Sequence, residues 1–399
     1  MNILLLSIIP VLQFVFVYFL FLKPIQKYSF IFRKLFFVLL GISALNGYLY
    51  IFFKMTTAYF GIPKWLVMIV LIIFWAMAVL CILIGIRFVL NFLFKLLRRN
   101  FSFNLFKPDS VLIGLFMTVL SFYISAVAVS NGFIPPVIKN YTFTVDKLSD
   151  ENNGLKIVQL SDLHIDGIAT KSEIRDIVDR VNEQKPDLVL ITGDFIDGKV
   201  SDLKDVTDIL LDLDSKYGVY AVPGNHEYYS DYRKWVDHFE KGGIKFLENK
   251  NISIKDYAQN NVLNLCGITD PTAEHYKMTE PSIKDALDGI DNSVPTVFMS
   301  HRPKFAVQLQ EFSDLTLCGH THGGFMPGID MLVGLLNEGM THGLYKLGNE
   351  KVIVSSGTRI NTASAFRIFN KPVINVIVLE SPRAQRKLSS KNFSIYFES

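Results

Sequence analysis

Five short segments beyond residue 160 of this 399-residue chain each end an apolar run in metal-ligating side chains. They read Asp162-Leu163-His164, Gly193-Asp194-Phe195-Ile196-Asp197, Gly224-Asn225-His226-Glu227, Ser300-His301 and Gly319-His320-Thr321-His322-Gly323-Gly324. The runs before them are Leu155–Leu160, Asp187–Thr192, Gly218–Pro223, Pro295–Met299 and Asp314–Cys318. Short β-rich apolar runs bounded by turn residues predict buried strands. Polar stretches with helical period, Lys171–Gln184 and Ser201–Leu213, separate the first three. Strands alternating with helices predict an α/β core, and ligands at the carboxyl ends of strands fit the usual site of such a core.

The chain has eight histidines, the first is His164, and five of the eight fall in these segments. Carboxylate, imidazole and amide oxygen together suit divalent ions such as Mn, Fe or Zn. Two such ions held about 3.5–4 Å apart can clamp both the attacking and the leaving oxygen of an in-line displacement. A pair that close needs a shared ligand, and Asp194 is the candidate. A lone D-x-H or GD-x-x-D reads as readily as a turn or a helix cap. The five segments together, in this order, make the metal-site reading.

The order D-x-H, GD-x-x-D, GNHE, lone His and GH-x-H, from about Leu155 to about Leu379, resembles the calcineurin-like metallophosphoesterase superfamily. That resemblance implies a four-layer αββα sandwich and a dinuclear hydrolase of phosphoester or pyrophosphate bonds, with a bridging hydroxide attacking phosphorus. One ion would be held by Asp162, His164, Asp194 and His322, the other by Asp194, Asn225, His301 and His320. His226 takes the place of the general acid that protonates the leaving oxygen, with Asp197 orienting its ring. Imidazole titrates near neutrality, and a carboxylate partner fixes its tautomer and raises its pKa. Every ligand position of the pattern is filled. His238, His275 and His342 match none and read as surface or packing residues; Arg233 and Arg302 are candidate donors to a substrate phosphate, with solvated arginine as the commoner role.

Residues 1–140 are a different material, with Phe, Leu, Ile and Val in blocks of membrane-spanning length. They predict four transmembrane helices, about Asn2–Leu22, Leu35–Phe53, Trp65–Ile86 and Val111–Ser130, that form a bundle ahead of the sandwich. The first lacks a basic start and a small-residue cleavage site, so it reads as an uncleaved anchor. Lys23, Lys27, Arg33 and Lys34 follow the first helix, and Arg87, Lys95, Arg98, Arg99 and Lys107 follow the third. The intervening loop has only Lys54 and Lys64. By the positive-inside rule both basic connections face the cytoplasm, which puts the termini and the catalytic domain outside. Arg87–Arg99 reads either as a segment along the membrane surface or as an extension of the third helix.

The formal charge of +3 hides a division: residues 1–140 hold 12 basic residues and one acid, Asp109, and the remainder 28 basic against 36 acidic. An acidic catalytic domain gives no support for nucleic-acid binding; the basic anchor fits topology and contact with anionic membrane lipid. The reading is therefore residues 1–138 as anchor, 139–381 as metallophosphoesterase domain with an opening strand at Tyr141–Val145, and 382–399 as a basic tail with Arg383, Arg386, Lys387 and Lys391. Three cysteines make no disulfide framework, and Cys81, Cys266 and Cys318 read as buried thiols, with a Cys266–Cys318 pair as the alternative.

Two features bear on substrate. The apolar run Phe325–Leu336 follows the last ligand directly. It reads first as packing beneath the active-site loops; exposed, it would admit acyl chains or dip into the bilayer. Gly343-Leu344-Tyr345, Ser355-Ser356-Gly357 and Phe366-Arg367-Ile368-Phe369-Asn370 resemble the membrane-anchored bacterial branch of the superfamily, some members of which cleave UDP-2,3-diacylglucosamine in lipid A synthesis. Such nucleotide-linked lipids are made on the cytoplasmic face, so an outward catalytic domain favours a lipid-linked or envelope phosphoester. The rival from another class is a membrane sensor that binds metal without turnover.

Overall fold

The computed structural model describes residues 3–19, 23, 30–56, 61–97, 111–324, 328–362 and 365–383. Of the sequence expectations, those resting on Lys27, Arg98, Arg99, Lys107, Phe325–Pro327 and the tail beyond Arg383 lie outside these residues. The chain divides into two compact units, Met1–Gly132 with Ala363–Ile368, and Phe133–Thr362 with Phe369–Ser399.

The first unit is helical: α1 (Ile3–Val17), α2 (Phe30–Thr56), α3 (Lys64–Leu97) and α4 (Val111–Gly132). Two of these are long and apolar enough to cross a membrane, over Lys64–Phe94 and Leu112–Gly132. The apolar stretches of the other two are shorter among the described residues, Ile8–Val17 and Phe37–Ile51. α2 is itself 27 residues long, with Lys34 and Lys54 bounding its uncharged centre. Of the four expected spans, two are long and apolar enough among the described residues. α3 runs unbroken to Leu97 with no proline, so of the two readings of the basic stretch after Ile86, helix extension holds through Leu97. Asn46 donates to the Val70 carbonyl at 2.8 Å, which satisfies a polar side chain among apolar neighbours. Pro10 packs against Gly47, where a Cβ would come within 2.8 Å of the proline ring. Within this unit the Phe366 ring also lies 4.6 Å from Trp75, and Arg367 N donates to Ala128 O at 2.9 Å.

The second unit is mixed α/β. In chain order it contains β1 (Val137–Thr144), β2 (Leu155–Leu160), α5 (Lys171–Glu183), β3 (Leu188–Thr192), α6 (Val200–Thr207), β4 (Val219–Val222), α7 (Asn225–Tyr229), α8 (Tyr232–Lys241) and β5 (Ile244–Phe246). Then follow β6 (Lys250–Lys255), β7 (Asn261–Gly267), α9 (Ile283–Ala286), β8 (Thr296–Met299), β9 (Leu315–Cys318), α10 (Ile329–Leu335), β10 (Gly343–Leu347), β11 (Glu350–Val354) and β12 (Val373–Glu380). One six-stranded sheet runs β1-β12-β2-β3-β4-β5 and the other β10-β11-β9-β8-β7-β6.

Alternation along the strands builds the layers. Val158, Leu160, Val189 and Ile191 face outward from the first sheet onto Ile174, Ile177, Val181, Trp235 and Phe239 of α5 and α8. Ile157, Leu188, Leu190 and Tyr220 face the other way, onto Leu263, Leu265, Val297 and Leu317 of the second sheet. The far side of that sheet packs Cys266 and Phe298 against Ala286 and Leu309. Helices, sheet, sheet and short helical turns thus succeed one another. α5 begins in a capping box between Thr170 and Glu173, which supplies two of the amide partners a helix start lacks. Buried Gln159 bridges the sheets, donating to Thr192 Oγ1 at 3.0 Å and to Cys318 O at 2.9 Å and accepting from Asn375 Nδ2 at 2.9 Å.

β1 begins at Val137, earlier than the expected Tyr141, because it pairs in parallel with β12 over its whole length, from Val137↔Val373 to Thr144↔Glu380. The three cysteines are free; Cys266 on β7 and Cys318 on β9 are separated by β8, so buried thiols are the reading that holds.

Buried Glu350 on β11 accepts a hydrogen bond from Thr316. Burial pushes its carboxyl up to about 7, with Asp314 adding to the rise and the Thr316 bond opposing it. The folded chain then keeps a proton that the unfolded chain gives up, so this group's stability contribution is complete below 4.5 and lost as pH rises through about 7. Glu350→Gln is expected to stabilise the fold by about 3 kcal/mol above pH ~7 and to leave it unchanged below pH ~4.5. Thermal melts of the two proteins at both pH values check this, and an equal difference at both would refute it.

Candidate metal centre

The nine residues singled out from the sequence stand just beyond the carboxyl ends of β2, β3, β4, β8 and β9, Asn225 and His226 at the start of α7, and the structure brings all nine together. Backbone pairing carries on past the strands: Asp162 N donates to Gly193 O at 3.0 Å, His164 N to Asp194 O at 3.0 Å and Ile165 N to Phe195 O at 2.8 Å. Asp162, His164, Asp194, His320 and His322 all hold positive φ, between 41° and 73°. Five non-glycine residues in the left-handed region at one site is a concentration of backbone strain, of the kind that marks functional sites. Two glycines are required by close approach. A Cβ at Gly224 would strike the Asp194 carboxylate, and one at Gly319 would strike Ser161 and Asp162.

Three ligand groups overlap: Asp162, His164 and His322; His164, Asp194 and His226; Asp194, His301 and His320. Asp194 joins the last two. His164 Nε2 lies 3.0 Å from His322 Nε2, and Asp162 Oδ1 lies 3.5 Å from the same nitrogen. On the other side His301 Nε2 is 3.2 Å from Asn225 Oδ1, 3.2 Å from His320 Nδ1 and 3.2 Å from Asp194 Oδ2. Asp194 Oδ2 is also 3.7 Å from His164 Nε2. Atoms bound to one ion at about 2.1 Å sit about 3.0 to 3.4 Å from one another, so the 3.0–3.2 Å separations fit a shared cation, and the 3.5 and 3.7 Å ones are slightly longer.

The rear nitrogens of two rings support the same conclusion. His164 Nδ1 is 3.0 Å from Asp197 Oδ2, and His301 Nδ1 is 2.8 Å from the Thr192 carbonyl. Each acceptor fixes a tautomer whose Nε2 lone pair points into the cluster, which is how ligating imidazoles are usually oriented.

His226 is placed differently. Its backbone N donates to Asp194 Oδ1 at 2.8 Å, its Nδ1 bonds Asp197 Oδ1, and its Nε2 stands 4.0 Å from Asp194 Oδ2. Asp197 therefore holds two imidazoles at once, and Asn361 Nδ2 donates to it as well at 2.8 Å.

Electrostatics follow from this crowding. Burial alone would lower His226, but the Asp197 and Asp194 carboxylates outweigh it and lift the ring to about 9. Burial would likewise lower His301, and Asp194 and Asp162 raise it to about 10. His320 is pushed down to about 3 by burial, with His301 and Arg302 as neighbouring cations. Burial would raise Asp194, yet His301 and His226 hold it well below the usual carboxylate range.

Several contributors have no role assigned by the sequence reading. Glu227 accepts from Gly224 N at 2.6 Å, Phe195 N at 2.7 Å and Asp194 N at 3.0 Å, clamping two ligand loops with one buried carboxylate. Arg359 donates to the carbonyls of Leu163 at 2.9 Å and His164 at 2.8 Å. Asn361 and Arg359 come from the loop between β11 and β12, far along the chain from the groups they hold, so only the fold reveals them. The two candidate phosphate-binding arginines are already engaged. Arg302 forms a bidentate pair with Asp270 at 2.7 and 3.1 Å, and Arg233 pairs with Glu248 at 3.2 and 3.1 Å. His238 pairs with Asp208 away from the cluster.

The calcineurin-like phosphoesterase family model matches residues 155–324, the stretch that carries every ligand described above. A zebrafish (Danio rerio) protein named as a transmembrane protein with metallophosphoesterase domain is 33% identical over 360 residues, covering 86% of this chain and 79% of that one. A metallophosphoesterase of Helicobacter pylori strain J99 is 32% identical over 280 residues, covering 67% of this chain and 72% of its own. One from Campylobacter jejuni is 30% identical over 290 residues, covering 72% and 74%.

Proposed function

Because this chain belongs to the calcineurin-like phosphoesterase family and is a metal-dependent phosphoester hydrolase, we propose that it works as a membrane-anchored dinuclear enzyme on a lipid-linked or envelope phosphoester or pyrophosphate. The observation that carries the reading is the overlap of the ligand groups: Asp194 stands with His301 and His320 and again with His164, and His164 stands with Asp162 and His322, with ring nitrogens 3.0–3.2 Å apart. Asp162, His164, Asp194 and His322 would hold one divalent ion; Asp194, Asn225, His301 and His320 would hold the other. Bound there, Mn, Fe or Zn would supply Lewis acidity to the phosphoryl oxygen and acidify a water.

The chain's own groups do the rest. His226 holds a proton at Nε2, fixed by Asp197 at Nδ1, for the leaving oxygen. Asp197 and Asn361 keep that ring and His164 in register. Glu227 and Arg359 fix the loops, so the donors are aligned before substrate arrives.

For the anchor we take residues 1–138 with four spans, the two shorter apolar helices included, residues 139–381 as the catalytic domain and the rest as a basic tail. Basic connections after the first and third helices place the catalytic domain outside the cytoplasm. The alternative, hydrolysis of UDP-2,3-diacylglucosamine, needs the opposite orientation. Release of UMP from that lipid by detergent-purified protein, with a cysteine on the catalytic domain protected from an impermeant reagent added outside cells, would replace the outward reading.

The direct test uses bis-p-nitrophenyl phosphate and p-nitrophenyl phosphate with full-length protein in detergent. Turnover is expected to require two ions per chain and to vanish on chelation. One ion per chain at full activity would overturn the dinuclear reading, and two bound ions without turnover of any phosphoester would favour the sensor. Each ligand must be deprotonated to bind, so metal retention should fall by about tenfold or more per pH unit as the medium is acidified. Metal analysis after dialysis at several pH values checks this; retention independent of pH would count against imidazole ligands.

A further inference from the structure

α10 is built inside out. Its polar and small side, Asp330, Gly334 and Asn337 at intervals of three and four residues, turns toward the protein. The opposite side carries Met331, Leu332, Leu335 and Leu336, which are 72%, 61%, 77% and 80% exposed. Positions i, i+1, i+4 and i+5 share one face of a helix, and a surface helix in water has the reverse arrangement. The packing expected of this run beneath the site loops is therefore not what its described residues do: the reading that treated it as exposed is the one that holds.

The helix is closed by local bonds at both ends and packs its Asp330 side against the site. Asp330 Oδ1 accepts from Gly328 N at 2.7 Å and Met331 N at 2.9 Å, and Asn337 Nδ2 donates to Val333 O at 2.9 Å. A Cβ at Gly324 would come within 2.5 Å of the Asp330 Cα, so α10 is pressed against the turn that carries His322. Asn370 Nδ2 donates to Gly323 O in that same turn, and its neighbour Phe369 is 76% exposed. Rolling the aliphatic face inward would lift Asp330 off the Gly324 turn, beside a candidate metal ligand.

At the foot of the helix stands a small polar rim. Lys139 Nζ lies 3.9 Å from where a Cβ on Gly343 would be, and exposed His342 senses both Lys139 and Asp330. Glu338 is exposed at the other end. Four contiguous large aliphatics with one cation at the edge match a surface that is apolar inside and polar at its boundary. They do not match a water-exposed loop.

We propose that this face of α10 rests in the headgroup–acyl boundary of a lipid bilayer, bringing the metal centre to phosphoesters held in that membrane. The occupant is a bilayer because the same chain carries two helices long and apolar enough to cross one, which confines the second unit near a lipid surface at high effective concentration. Short apolar faces then contribute by partitioning into the interface plane. The substrate half of this inference rests on the hydrolase reading above; the position of the helix does not.

The test is accessibility in a lipid nanodisc. Full-length protein would carry a nitroxide at Leu335→Cys, and a control at Tyr257→Cys, a site 91% exposed on the same unit. Signal from native thiols, of which Cys266 and Cys318 are buried, is subtracted with the parent chain. The expected result is a several-fold higher ratio of oxygen to nickel-chelate accessibility at 335 than at 257. Nickel-chelate access at 335 equal to that at 257 would mean a face in water and overturns the proposal. Low access to both reagents would mean a protein partner covers it, and overturns it equally. Met331→Cys repeats the reading should Leu335→Cys fail to fold. The label reports position whether or not any ester turns over, so a failure of the catalytic reading is scored separately.

Discussion

Asp194→Asn is expected to lower hydrolysis of a nitrophenyl phosphodiester by about 10³-fold or more and to reduce bound metal, while the protein stays folded. The argument is geometric. Asp194 Oδ2 stands 3.2 Å from His301 Nε2 and 3.7 Å from His164 Nε2, so this carboxylate touches both ligand groups. Asp162 reaches His322 and the amide of His320. The amide in Asn keeps the shape and one oxygen but loses the charge. Transition-state charge stabilisation by bound metal is several kcal/mol, and each ~1.4 kcal/mol is about a factor of ten in rate. Folding should survive because the backbone around residue 194 is held by Glu227 and by the His164 amide, contacts the substitution leaves in place. Removing one buried charge from a crowded set can even stabilise the fold. Metal analysis, thermal melts and turnover decide the matter together. An Asp194→Asn protein that keeps two ions and stays within about tenfold of parent activity would remove Asp194 from its shared position.

Much of this site is legible in the sequence because each ligand follows a strand whose apolar run is itself a local signal. Leu155–Leu160 is a strand as expected, Lys171–Gln184 becomes α5 to within a residue, and the runs before His301 and His320 become β8 and β9. Expectation fails where structure depends on distant partners. β12 inserts between β1 and β2, in parallel with one and antiparallel to the other, and nothing near Val373 announces that choice. The same holds for Asn361, which reaches Asp197 across 164 residues of chain. Glu227 stood in plain sight within GNHE, yet besides capping its own helix at Gly224 it accepts the Asp194 and Phe195 amides, which approach only once β3 and β4 are side by side. In the helical unit, apolar composition predicts helices well. Among the described residues two of these helices, over Lys64–Phe94 and Leu112–Gly132, are long and apolar enough to cross a membrane. α10 misled for a physical reason: burial is the usual fate of an aliphatic run, and here the Asp330 side of the helix is the one pressed against the turn at Gly324, which leaves the aliphatic side outward.

His226→Ala is expected to reduce kcat by about 10²- to 10⁴-fold for an ester with an alkyl leaving group, and far less for a nitrophenyl ester. An alkoxide needs its proton as the bond breaks, whereas nitrophenolate is stable without one, so the difference between the two losses isolates the acid's role. The position supports that role: Nδ1 is committed to Asp197, the ring meets His164 edge-on at 4.6 Å, and Nε2 remains toward the cluster. Asp197→Asn provides the companion measurement. Withdrawing a negative neighbour destabilises the imidazolium, so the pKa of His226 must fall, and the alkaline limb of the pH–rate profile should move to lower pH for the alkyl ester. The sign is fixed because an acid must be protonated to act, and activity is lost as pH rises through its pKa. Equal losses for both leaving groups in His226→Ala would mean the imidazole orients Asp194 through its backbone neighbourhood and carries no proton to the product. An alkaline limb that moves upward in Asp197→Asn would likewise take the pair out of the proton-transfer step.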